Sequence, residues 1–125
     1  MSGVLSPDWC ASVSSALADV EPGPGGSGVV EVVVTGGEPA RQSAVLVIDA
    51  GRLTAISVDG SGPESEVAIP QSRADFEAMV RGELDPAIAF MRGDLKPDGS
   101  SRAVFALLSA LARPQTQHVL RSHSD

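Results

Sequence analysis

Three runs of β-branched residues lie so close together in this 125-residue chain that one way of pairing them stands out. They are Val29 to Thr35 (VVEVVVT), Ser43 to Ala50 (SAVLVIDA) and Arg52 to Val58 (RLTAISV). Such side chains crowd a helix and suit a pleated strand, so each run is expected to be extended. The first gap holds Gly36, Gly37, Glu38 and Pro39, and the second is a tight turn around Asp49–Arg52. Parallel neighbours need a crossover of about a dozen residues or more, which neither gap supplies. The expectation is an antiparallel meander.

Ahead of the meander, Ser6, Pro7 and Asp8 mark a helix start: a hydroxyl for the unbonded amides, a proline at the first helical position and an acid in the first turn. Trp9, Val13, Ala16, Leu17 and Val20 then fall on one apolar stripe. The glycine-rich run from Glu21 to Gly28 (EPGPGGSG) stops the helix and reads as a loop. After the meander, a turn at Asp59 to Pro63 leads to a short fourth strand, Ser65 to Ile69.

The hydrophobic period changes at Ser72. Ser72-Arg-Ala-Asp75 reads as a helix cap ahead of Phe76, Met79 and Val80, with Gly82 ending that helix. Asp85-Pro86 opens another short helix carrying Ile88, Phe90 and Met91, closed by Gly93. Asp94 to Gly99 is a candidate fifth strand, which Pro97 confines to a sheet edge. From Arg102 to Arg113 (RAVFALLSALAR) the chain is helical in pattern but apolar nearly all round, so this helix is expected to be buried or covered on its second face. Beyond Pro114 the sequence turns polar. The expected organisation is one domain over residues 1–113 and a disordered tail over 114–125.

Charge and composition remove several classes of function. Sixteen acidic against nine basic residues give a formal charge of −7, and phosphate binding needs a basic face, so no nucleic-acid partner is expected. A single cysteine cannot form an internal disulfide, and no Cys/His set has zinc-ligand spacing. No metal and no cofactor are expected. No apolar run reaches the length of a membrane span, and the start MSGVLSPDWC lacks the basic stretch of a secretion signal. A cytoplasmic location is the expectation.

The motifs that could carry chemistry are poorly placed. Gly23-Pro-Gly25-Gly-Ser-Gly28 matches G-x-G-x-x-G, but a dinucleotide loop follows a strand and opens a helix, and here the order is reversed. Glu64 and Glu66 share a strand face, where the plain reading is a solvated surface. Glu31 stands among valines and is expected to point outward to solvent. Cys10 lies near a helix start without a neighbouring histidine, and His118 and His123 both fall in the tail. What is left is surplus apolar surface on the later helices, suited to an ordinary core or to a helix-roofed pocket with methionines as adaptable lining.

At FEAMVRGELDPAIAFMRGDLK, residues 76–96, followed by Gly99 and the apolar helix, the chain resembles the sterol carrier protein 2 (SCP2) family in its stand-alone bacterial form. The family's G-x-L-x-P and A-F-M-x-G-x-L-K blocks fall on Gly82, Leu84 and Pro86, then on Ala89, Phe90, Met91, Gly93, Leu95 and Lys96. The resemblance implies an α+β fold: a five-stranded, mostly antiparallel sheet covered on one face by helices, with an apolar cavity between them. Carried over by position, the cavity would be lined by Val32, Val34 and Ile56 from the sheet. Phe76, Met79, Val80, Phe90, Met91, Phe105, Leu108 and Leu111 would come from the helices. Pro97 departs from the alternation usual in the last strand, and Ser122-His-Ser-Asp125 is not a peroxisomal signal.

The resemblance implies non-catalytic binding and transfer of an apolar small molecule such as a sterol, fatty acid, fatty acyl-CoA or similar lipid. Two alternatives stay open on the sequence. One is a small enzyme or accessory protein of bacterial secondary metabolism that holds an apolar intermediate in the same cavity. The other is a protein-interaction module, including a homodimer formed through the apolar helix.

Overall fold

The protein is described by a computed structural model that covers residues 4–23, 25–37, 41–58, 64–85, 88 and 101–124. Helix α1 spans Pro7–Leu17, and Ser6 caps it by accepting a hydrogen bond from the Trp9 amide at 3.1 Å. Its stripe of Trp9, Val13 and Leu17 is fully buried. Strands β1 (Gly28–Thr35), β2 (Arg41–Asp49) and β3 (Arg52–Val58) then form the meander that their short connections require. Strand β1 pairs antiparallel with β2, and β2 antiparallel with β3. The β2–β3 turn has positive φ at both central residues, Ala50 (51°) and Gly51 (75°), the backbone twist that a two-residue hairpin favours.

Strand β4 (Val67–Ser72) joins the sheet beside β1 and runs parallel to it, giving the order β3-β2-β1-β4. The crossover rule is respected, because β1 and β4 are not consecutive and the β2–β3 hairpin lies between them in the chain. The sheet therefore has four strands among the described residues, not five, and it is mixed. The expected fifth strand at 94–99 and the expected helix from Asp85 lie outside the described residues, Asp85 and Ile88 excepted.

Alternation along the strands makes one face dry. Val30, Val32 and Val34 are at most 1% exposed, whereas Val29, Glu31 and Val33 are half-buried on the opposite face. Helix α2 (Arg73–Val80) follows β4 directly, with Ser72 Oγ accepting from the Asp75 amide at 3.1 Å, and packs against β4 and β1. Helix α3 (Ser101–Leu111) lies across β1, β2 and β3, and α1 lies against β3.

The expectation of a disordered tail is corrected. Residues Pro114–Ser124 form helix α4, which packs against α1 and α2. The physical reason is a short apolar stripe that polar composition hides: Thr116 and Leu120 are buried at 0% and 2% exposure, with Val119 partly buried beside them. Pro114 opens this helix at its first position, where a missing amide hydrogen costs nothing. Leu120→Ala is expected to lower stability by about 2–4 kcal/mol in chemical denaturation, the cost of truncating a buried leucine, whereas a frayed tail would give no change.

Candidate functional site

The inner face of the sheet and the inward sides of α1, α2 and α3 enclose one continuous apolar cluster. The sheet contributes Val32, Val34 and Ile56, at 0%, 1% and 3% exposure. Helix α2 contributes Phe76, Met79 and Val80 through the i, i+3, i+4 spacing that puts them on one side. Helix α3 contributes Leu107 and Leu111 in the same way, with Leu108 partly buried at the rim of the cluster. Seven of the expected lining residues thus meet in one buried layer, and Leu108 packs against it.

Phe105 does not join them. It is 67% exposed and lies on a solvent stripe with Arg102, Ser109 and Ala112, the four spaced i, i+3, i+7 and i+10. The two polar members of that stripe were the signal: Arg102 and Ser109 stand seven residues apart and fix the outward side of α3, which carries Phe105 with it. Phe90 and Met91 lie outside the described residues.

The residues with chemical potential are spent on structure. The glycine-rich loop packs against the β2–β3 turn: the Gly23 amide donates to the Ala50 carbonyl at 2.8 Å, and the Gly51 amide donates to Gly26 at 3.1 Å. A Cβ on Gly25 would come within 2.7 Å of Gly51 Cα, so here glycine serves a close backbone approach. Glu66 closes the start of β1, its Oε2 accepting from the Val29 amide at 3.0 Å, and Glu64 is exposed. Glu31 sits on the outer face of the sheet, level with Val45 and Ala68. Cys10 is buried in no disulfide. His118 and His123 are both carried by α4, where His123 Nδ1 lies 2.9 Å from the Val119 carbonyl. Among the described residues, no group of three or more His, Cys, Asp or Glu is arranged to hold a metal ion.

Two of the surface grooves border α1 and α2. One, of about 520 Å³, runs between α1 and the edge of β3, bordered by Cys10, Ala11, Ser14 and Ile56. The other, of about 610 Å³, lies along α2 beside Gly36 and Gly37 and is polar, with Glu77 paired to Arg73 at 2.9 Å and to Arg81 at 3.2 Å. Among the described residues, no helix is long and apolar enough to cross a membrane.

The two aromatic residues of the helices give a contrast to measure. Phe76→Ala is expected to cost about 3–5 kcal/mol of stability, since it empties the centre of the cluster. Phe105→Ala should change stability by no more than about 0.5 kcal/mol in the same denaturation experiment.

Comparison with known proteins agrees with this architecture. The model of the SCP-2 sterol transfer family matches residues 24–112. A crystal structure of sterol carrier protein 2 superposes with a TM-score of 0.66 at 20% identity, covering 94% of this chain and 97% of that one. The solution structure of a conserved hypothetical protein of Thermus thermophilus, described as a candidate sterol carrier protein, gives a TM-score of 0.67 at 18% identity. That alignment covers 98% of this chain and 90% of the other. No curated protein sequence matches the chain.

Proposed function

The chain belongs to the SCP-2 sterol transfer family, and from that premise we propose that it is a non-catalytic carrier, binding an apolar small molecule between sheet and helices and passing it on in the cytoplasm. One observation carries the reading: residues from four strands and four helices, distant in sequence, converge on a single apolar cluster, and among the described residues the buried polar side chains are Gln42, Gln71 and Thr116, none of them charged. Burial of apolar ligand surface there contributes roughly 25 cal/mol per Å². With the described acids and histidines placed outside this layer, affinity comes from shape and area, and binding accounts for the arrangement more simply than proton transfer.

A second reading has one specific observation in its favour. Phe105 and half-buried Leu108 leave apolar surface on α3, which suits self-association into a homodimer. Size-exclusion chromatography at two concentrations separates the readings, since a dimer held through α3 shifts with dilution and with Phe105→Ala.

Native mass spectrometry of freshly purified protein, with organic extraction and lipid analysis, tests the carrier reading. A stoichiometric apolar adduct that extraction removes is the expected result. An adduct-free protein that also ignores fluorescent fatty-acid and sterol probes would overturn it. Leu108→Trp adds bulk at the rim of the layer and is expected to weaken probe binding by about tenfold or more, about 1.4 kcal/mol, with the fold retained by circular dichroism.

A further inference from the structure

The central strands are apolar on both sides, and the side turned away from the helices follows a regular pattern. Its middle row reads Ser57, Val45, Glu31 and Ala68 from β3 to β4. Val47 and Val29 are level with each other in the row on one side of it, and Ser43 and Val33 in the row on the other. None of these residues belongs to the core cluster, although Val45 is only 8% exposed. Val29, Val33 and Val47 are half-buried. Glu31 is the one charged side chain among them, while Arg41 and Glu66 stand exposed at the rim.

An antiparallel sheet with one solvated face alternates apolar inward and polar outward, whereas near-continuous apolar strands belong to sheets covered on both faces. VVEVVVT and SAVLVID follow the second pattern, yet among the described residues the helices pack on the inner face. Four strands about 4.8 Å apart, crossed by three rows about 6.8 Å apart, make the outer face a patch of roughly 400 Å². An apolar patch of that size with a charged rim marks an interaction site.

We propose that this outer face docks a second copy of the chain, sheet against sheet, about a two-fold axis parallel to the strands and midway between β1 and β2. The face is complementary to itself in that arrangement. Each β1 lies over β2 of the other copy, which sets Val29 against Val47, Val33 against Ser43 and Ala68 against Ser57 across the interface. Glu31 meets Val45 of the other copy, flanked by the hydroxyls of its Ser43 and Ser57, which can donate to a carboxylate. A two-fold axis across the strands at the middle row would bring the two Glu31 carboxylates face to face, which is repulsive. The charge therefore selects the register. The area buried, roughly 800 Å² over both copies, lies below that of a standard stable interface, so the dimer is weak, with a dissociation constant on the order of 100 μM. It is distinct from self-association through α3. The helix-covered layer of each copy faces away from the interface, so the dimer does not depend on the carrier reading.

Sedimentation velocity of the full chain from about 5 μM to about 1 mM brackets that constant. The mass is expected to rise with concentration from 12.8 kDa toward twice that value. Val47→Lys sets a charge against Val29 of the other copy and should raise the dissociation constant about tenfold or more, whereas Phe105→Ala should leave it unchanged. Glu31→Gln removes a charge that docking desolvates and should lower the constant about threefold or more. An amide-resolved NMR dilution series on the wild-type chain needs no variant: the shifts that move with concentration should lie on the outward rows of the sheet and not on α3. A wild-type chain that stays monomeric to about 1 mM overturns the proposal and leaves the face to a foreign partner. So does a dimer that Phe105→Ala dissolves, one that Val47→Lys leaves unchanged or that Glu31→Gln fails to tighten, or a set of moving shifts confined to α3. If Val47→Lys fails to fold, the wild-type NMR series decides alone.

Discussion

Everything in this fold answers to a sheet that is dry on one face only. Val30, Val32 and Val34 bury completely on the inner side of β1, each contributing on the order of 1.5–3 kcal/mol, and the rows beside them on β2, β3 and β4 do the same. A face of that width has to be covered along its whole extent. Helix α1 covers β3, α3 crosses the middle, α2 covers the β4 side, and α4 wedges against α1 and α2. Covering the face also disciplines the edge. Ser14 on α1 accepts from the Ile56 amide at 3.1 Å and donates to the Ile56 carbonyl at 3.3 Å, so one side chain occupies both backbone groups of an edge-strand residue.

Because the helices approach from one side, the segments joining them are held by specific backbone contacts. The loop after α1 reaches the β2–β3 turn through Gly23, Gly25 and Gly26. The residues before α1 are held from the other end of the sheet, where Gln42 and Arg73 bond the Leu5 and Val4 carbonyls. Leu5 has a positive φ of 68° and is 1% exposed, an arrangement that a non-glycine residue keeps only where its surroundings over-determine it. A polar pair on β2 and α2, buried Gln42 with half-buried Arg73, thereby fixes where the first helix begins.

How much of this was legible in the sequence depends on the range of the cause. Local causes read well. Ser6, Pro7 and Asp8 start α1, Ser72 starts α2, and the period of two gives β1, β2 and β3 to within a residue or two, whereas the strand expected at Ser65 to Ile69 runs over Val67–Ser72. Family resemblance supplied a set of expected lining residues, and seven of them meet in the buried cluster. What failed was decided by neighbours far along the chain. Pro114 looks like the end of one helix and is also the start of the next, and only the surface offered by α1 and α2 gives Thr116 and Leu120 somewhere to be buried. Phe105 looked like lining because apolar residues crowd α3 on most sides. Its direction was set by which side of the helix the sheet required. The parallel pairing of β4 with β1 was likewise invisible to reasoning from consecutive connections.

In this protein the core and the candidate site are made of the same atoms. The layer that holds sheet to helices is the layer an apolar ligand would share, so a bound ligand adds to stability by mass action while competing with side chains for the same contacts. Apolar contact alone orders ligands by size and area, since every methylene is worth nearly the same wherever it lies. It has no means of distinguishing one end of a chain from the other. An interior built only of valine, leucine and phenylalanine would therefore accept many molecules in many registers. A single buried amide changes that situation, because an unpaired polar group penalises every occupant that leaves it unpaired. Gln42 and Gln71 show two states of one residue type on one sheet: the first has its partners within the chain and locks the N-terminal segment, and the second is buried with its amide unpaired.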